Sequence, residues 1–321
     1  MIALFFSACS TKEVFEPLSV DEDWTKYENS KFDIIDTSSN IALLEDRKVL
    51  SKDGVYDINV DLRDRVISQS GGWIITSSIE GNLTLISQND NNITENLELK
   101  KSVAGASVNG NTLAILFADN EIALYEISSK KVLFKEQGGK YIVTDSRIVN
   151  PFFMRGLVLF ATLDGKVVFV NKTKNKRLRT VIVSSEDNFN NVISLNVVDN
   201  KIIAATGYKI LSMAKKEIRV KYEIRDIVYD DTGLFIATKQ GEVIALTPDL
   251  QVVSKMKFPF AHFYGMVQDE EKLYVLEKEG YIIVLDKKTF DYTVHEVDFE
   301  DGYIFTSRDT FYINDKQILT K

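Results

Sequence analysis

The residues able to do chemistry are few and scattered. His262 and His295 are the two histidines of the chain. Neither belongs to a His-x-x-x-His or Cys-His pattern, so they offer no metal pair and no partnered general base, and each reads as a surface or packed side chain. Asn89-Asp90-Asn91-Asn92 has the oxygen-rich composition of a cation loop. It lacks the spaced glycine and closing glutamate of a calcium hand and reads as a solvated turn. Cys9 is the single cysteine, which excludes internal disulfides and any cysteine-cluster metal site. No catalytic residue, metal-ligand set or cofactor is therefore assigned, and the chain is not expected to be an enzyme. Recognition chemistry remains. Arg147 and Arg225 sit near loop-to-strand boundaries, where a guanidinium can meet a partner's carboxylate or close a surface salt bridge. The run Phe258-Pro-Phe-Ala-His-Phe-Tyr264 is either an exposed anchor or packing between repeats.

The elements that position these residues are short β-hairpins. The clearest copy runs from Gly156 to Asn171, two β-rich runs joined at Asp164-Gly165. Copies recur around Gly81, Asn120, Gly241 and Gly280, and weaker ones near Asn40, Gly207-Tyr208 and Asp309-Thr310. These turns step by roughly 30 to 45 residues, the period of propeller blades. Short strands precede and follow each hairpin, as in Val192–Val198 and Leu178–Val183. Four strands per repeat predict an all-β fold, a β-propeller of about eight four-stranded blades with seven as the alternative, nearly free of helix. Gly81, Gly165, Gly241 and Gly280 are read as structural turns needing positive φ. The propeller is placed at 31–321 after a flexible tether at 10–30, whose Trp24 and Tyr27 either dock on a blade or face solvent. The last blade closes with its own C-terminal residues or with a strand borrowed from before Ser30.

With a net charge of −8 and dispersed lysines and arginines, the chain is a poor fit to nucleic acid. No apolar run is long enough to cross a bilayer as a helix, so membrane attachment must come from a tail. Met1-Ile-Ala-Leu-Phe-Phe-Ser-Ala-Cys9 supplies one: it resembles the end of a lipoprotein signal, with Phe6-Ser7-Ala8 before a lipidated Cys9. The apolar stretch is short and lacks a basic start; a free or buried thiol is the other reading. Ser10, in place of an aspartate, then implies the outer membrane.

The repeats, Gly-x-(apolar)4 followed by a polar turn and another apolar strand, resemble PQQ-type propeller repeats. A lipobox ahead of about eight of them is similar to the BamB family of outer-membrane assembly lipoproteins, over roughly residues 9–321. That resemblance implies a non-enzymatic, lipid-anchored scaffold on the periplasmic face of the outer membrane. Its partners would be the barrel-inserting subunit of the assembly machinery and nascent outer-membrane proteins. It also implies a partner face here at Arg147, Ile148, Asn190 and Asn191, within Asp145–Pro151 and Asp187–Ile203. Asn190 and Asn191 stand where the family has acidic residues, and the family's tryptophans near blade ends are missing, Trp24 and Trp73 being the two in the chain. Quinone-dependent dehydrogenases share the repeat but require a cofactor pocket, a metal ion and a catalytic carboxylate, in chains about twice as long. The alternative function is a periplasmic or surface ligand-binding propeller, using its central funnel or binding host or environmental macromolecules.

Overall fold

The structure, a computed structural model, describes residues 13–30 and 32–320. Cys9 and the lipobox lie outside the described residues. Every regular element described is a β-strand, and the strands form eight separate four-stranded antiparallel sheets. Each sheet is a blade. Blades one to eight begin with the strands Ile34–Thr37, Asp64–Ser70, Val103–Asn109, Phe152–Met154, Val192–Val198, Ile224–Tyr229, Phe263–Gln268 and Ile304–Thr306. These first strands neighbour one another around a central channel, and the fourth strands form the rim. The ring has eight blades, which resolves the seven-or-eight alternative.

The middle strands are apolar at consecutive positions because both faces of every blade are covered. Val158 and Phe160 enter a core shared by blades three and four, whereas Leu159 and Ala161 enter the one shared by blades four and five. The same alternation repeats around the ring and gives eight hydrophobic clusters, one between each adjacent pair of blades. Rim strands such as Lys176–Ile182 are largely exposed and carry the charge.

The repeated hairpin turn differs in one respect from a two-residue Asp-Gly turn. Gly165 donates its N–H to Thr162 O at 3.4 Å, and Thr162 donates to Lys166 O at 2.9 Å, so the turn spans four residues. Gly165 takes φ 80 while Asp164 stays on the negative side. The glycine alone carries the left-handed step, as in a type I turn with a bulge. Asp164 is freed for its carboxylate, which accepts from Thr162 Oγ1 at 2.6 Å and Asn120 Nδ2 at 2.9 Å.

Two turns shift by one hairpin relative to the sequence reading. Asn40 and Asp309-Thr310 lie between the first and second strands of blades one and eight, whereas the other repeat turns join second to third strands. The equivalent turns in these blades pass through Arg47, φ 67, and Asn314, φ 47. Arg47 repeats the glycine's hydrogen bonds, its N–H reaching Leu44 O at 2.9 Å while Leu44 N–H reaches Lys48 O at 3.0 Å. An arginine in that role leaves no glycine to mark the turn. Its guanidinium offsets the backbone strain by donating to Val60 O at 3.2 Å and Asp64 O at 2.9 Å.

The stretch read as a flexible tether is, from residue 13 to 30, packed onto the ring. Phe15 is 4 % exposed and meets Phe258 and Tyr281 edge-on at 6.1 and 5.6 Å. Asp21 and Trp24 donate their N–H groups to Val294 O and Glu296 O at 2.8 and 2.7 Å, lying along the rim strand of blade seven. Tyr27–Asn29 then pairs antiparallel with Lys316–Leu319 and becomes the fourth strand of blade eight. Closure is by the borrowed strand, so the ring's first strand lies before residue 31. Trp24 is docked, its Nε1 donating to Leu319 O at 3.0 Å.

Candidate functional site

The first strands enclose a channel of about 980 Å³, lined by hydroxyl and amide side chains such as Ser70, Ser107, Ser194 and Asn196, by aliphatic ones, and by the charged Lys52, Asp226 and Arg308. Six of the eight first strands carry a bulge that adds one residue near the start. The added residues are Ile35, Ile67, Ala104, Ile193, Tyr264 and, in blade six, Arg225. A bulge re-aims a side chain at a strand end. Here it places a guanidinium where the other blades, apart from Tyr264, present an aliphatic group.

Arg147 lies beside it. Its Nε and Nη2 grip both oxygens of Asp145 at 2.8 and 2.6 Å, and Nη1 donates to the carbonyl of Arg225 at 2.5 Å. Burial alone pushes the Asp145 carboxyl up, but the hydrogen bonds and charge of Arg147 outweigh it and hold the group below the ordinary carboxylate range. Most of the Arg147 fork is thus spent inside the chain. Ile148 is partly buried against the core of blades three and four.

Asn190 and Asn191 are not on the surface, at 8 % and 0 % exposure. The Asn191 carbonyl accepts Asp145 N–H at 2.7 Å, and its amide donates to Asp145 O and Arg147 O at 3.2 and 3.0 Å. Asn190 donates to Asp164 O and Ser184 O at 3.2 and 3.1 Å. A carboxylate at either position would have no hydrogens for those carbonyls. The side chains expected at a partner face instead clamp the loop 145–147 and the Gly165 turn, with the Arg147 and Arg225 guanidiniums beside that loop.

Sequence reasoning passed over Asp226. Its oxygens accept Ile227 N–H at 2.8 Å and Met266 N–H of blade seven at 2.7 Å, inside the channel. Burial pushes this carboxyl up. An aspartate next to an arginine in the short first strand Ile224–Tyr229 was the available signal. Nearby, Ser194 and Tyr229 share a hydroxyl hydrogen bond of 2.6 Å, while Gln268 Oε1 has no partner among the described residues.

The turn glycines Gly81, Gly165, Gly241 and Gly280 take φ 87, 80, 74 and 91. A Cβ on Gly165 would lie 2.4 Å from Asn190 Nδ2 and 2.6 Å from Ser184 O, so close approach adds to the φ requirement. Of the aromatic run, Phe258 and Phe263 are core, each 2 % exposed, and Phe260 is 58 % exposed. The Asn89–Asn92 turn is closed by its own Asp90 carboxylate, which accepts Asn92 N–H at 3.0 Å. His295 packs 5.3 Å from the Trp24 ring.

No family model matches the chain. Two proteins named plasminogen-binding protein PgbB, from two strains of Helicobacter pylori, are similar in sequence. One is 36% identical over 218 residues, covering 66% of this chain and 40% of the relative. The other is 32% identical over 273 residues, covering 83% and 47%. The chain thus spans less than half the length of these relatives. Among solved structures, BamB from Moraxella catarrhalis superposes with a TM-score of 0.69 at 12% identity, covering 92% of this chain and 98% of that one. The C-terminal WD40 domain of Sif2 reaches 0.68 at 11% identity, covering 94% and 99%. At such identities the likeness is one of fold: the chain is a BamB-like eight-bladed propeller.

Proposed function

We propose that the chain is a non-enzymatic protein-binding propeller displayed at the bacterial surface, with plasminogen as its partner. The observation that carries this reading is the 32% identity maintained over 273 residues with a protein named for binding plasminogen. An eight-bladed ring suits the role, because its rigid sheets hold loops at both mouths in fixed relation and lower the entropic cost of association. In this reading Cys9 carries the acyl chains that hold the propeller at the outer membrane. Surface plasmon resonance of the purified chain over immobilised plasminogen should give saturable binding. Linear, non-saturating signal throughout the micromolar range would remove plasminogen as the partner. Incorporation of a palmitate analogue into the wild type and its loss in Cys9→Ala would support the anchor.

A second reading, a scaffold of outer-membrane barrel assembly that binds the barrel-inserting subunit and nascent outer-membrane proteins from the periplasmic side, is favoured by the fold likeness to BamB over 98% of that chain. A photo-reactive group at Arg147 in membranes would discriminate the two. Capture of the barrel-inserting subunit selects the assembly role, and its consistent absence favours the surface role.

A further inference from the structure

We propose that Arg225 is the centre of a carboxylate-recognition site at one mouth of the channel, taking an acidic side chain flanked by an aliphatic residue on a protein segment. This rests on the reading of the propeller as a protein binder and names the chemistry of its contact. Arg225 is the added residue of the blade-six bulge, so the backbone departs from regular pairing at the position that presents this guanidinium. Among the described residues its side chain has no ion-pair or hydrogen-bond partner, and its Nε is fully buried without an acceptor. Nη1 and Nη2, equally without a partner, are not among the buried atoms, so an incoming anion meets that end of the guanidinium. Burial, then the adjacent Arg147 charge, pulls the Arg225 pKa down against the opposing charge of Asp145.

The surroundings select the ligand. Asp145 is bound to Arg147 through both oxygens, and the Asp226 oxygens face backbone N–H groups. Glu223 accepts the Gln240 amide at 2.9 Å. Lys239 lies over the Tyr208 ring at 5.5 Å and adds a third cation with no carboxylate within ion-pair distance among the described residues. Arg225 and Lys239 therefore have no carboxylate within ion-pair distance among the described residues, while Glu223 keeps its own charge. The Nη1–H and Nη2–H groups at the end of a guanidinium form a planar pair that matches the two oxygens of a carboxylate. An apolar shoulder stands on the adjoining loop: Phe189 is 45 % exposed at φ 52, and its N–H donates to Val143 O at 2.9 Å. The Phe189 carbonyl lies 3.8 Å from where a Cβ on Gly207 would stand, and the Gly207 carbonyl accepts Ile224 N–H at 2.9 Å, next to Arg225. Asn191, two residues after Phe189, ties this shoulder to the loop of Asp145 and Arg147. A charged fork next to an aromatic ledge is the make-up of an interface anchor.

The probe is the peptide acetyl-Leu-Glu-Leu-Glu-amide, with its Gln counterpart and inorganic phosphate as controls. Binding to the full chain is read by the Arg225 Nε–H resonance in nuclear magnetic resonance and by competition anisotropy. The Glu peptide should move that resonance, and the Gln peptide should not. Arg225→Gln should weaken the peptide roughly tenfold or more, the loss of one charge-assisted pair. Arg225→Lys keeps charge but loses the fork and should recover only part. Phe189→Ala should cost a few-fold with the resonance shift retained. Equal binding by Arg225→Gln with an unchanged unfolding midpoint, an unmoved resonance, or phosphate binding as tightly as the Glu peptide would overturn the proposal. Plasminogen binding unaffected by Arg225→Gln would also count against this site while leaving the partner intact. Peptide binding without plasminogen binding would leave the site and remove that partner.

Discussion

The interface between blades six and seven and the interface between blades eight and one solve the same packing problem with different means. The first buries an extended set that includes Phe235, Phe258, Phe263 and Phe290, with Phe15 added from the N-terminal segment. The second buries Ile34, Ala42, Leu44, Leu50 and Phe305. The small cluster, with Phe32 and Tyr312 packed against it, holds fewer buried side chains than the first. What joins the two blades besides is connectivity: the chain leaves Tyr27–Asn29 at the rim of blade eight and within five residues begins blade one at Ile34. A thin core at the join is tolerated where the backbone itself crosses.

The largest expected effect follows from cutting that crossing. Removal of residues up to 29 takes away the closing strand, the Trp24 anchor and Phe15, and should lower stability by on the order of 5 kcal/mol. Urea unfolding should then show a broadened transition, with hydrogen exchange rising first in Lys316–Leu319. Unchanged unfolding would mean that the small cluster suffices. Gly165→Ala comes next, at about 3 kcal/mol, because positive φ and contacts under 3 Å with Ser184 O and the Asn190 amide act together. Gly72→Ala, at φ 84 with nothing within 4 Å, isolates the φ term and should cost only about 1 kcal/mol. Thermal unfolding of the pair tests whether close approach or backbone strain dominates these turns.

Asn191→Ala should cost about 2 kcal/mol by orphaning Asp145 N–H and two carbonyls, and should loosen the loop that carries Arg147. The smallest effect is acid lability. The folded-state pKa values of Asp145 and Asp164 are depressed, so their stabilisation is fully present above the unfolded carboxylate value near 3.8 and is lost as pH falls through the lower folded values. Asp145→Asn should flatten the stability profile in that acid window. A profile as steep as the wild type would show that Arg147 does not hold the carboxylate in solution.

Legibility differed by region for a physical reason. In blades two, four, six and seven the turn is set by near neighbours and marked in the chain by Gly81, Gly165, Gly241 and Gly280, and in blade three by Asn120 at φ 67. In blades one and eight Arg47 and Asn314 occupy the left-handed position, so the repeat was read one hairpin out of place at Asn40 and Asp309. At the site, Arg147 stood where expected at the loop, but Asn190 and Asn191 were taken for surface groups. Their partners are carbonyls 6 to 46 residues distant, and no local pattern reports such a bond.

The sequence by itself determined the all-β class, the blade period and the glycine-marked turns, because strand alternation and positive φ are local demands written in residue type. Only the tertiary structure decided which strand closes the ring, that Asn191 is a clamp, and that Arg225 stands unpaired beside a satisfied Arg147. Pairing of charges and closure of a ring depend on distances between residues far apart in the chain, which spacing along the sequence does not contain.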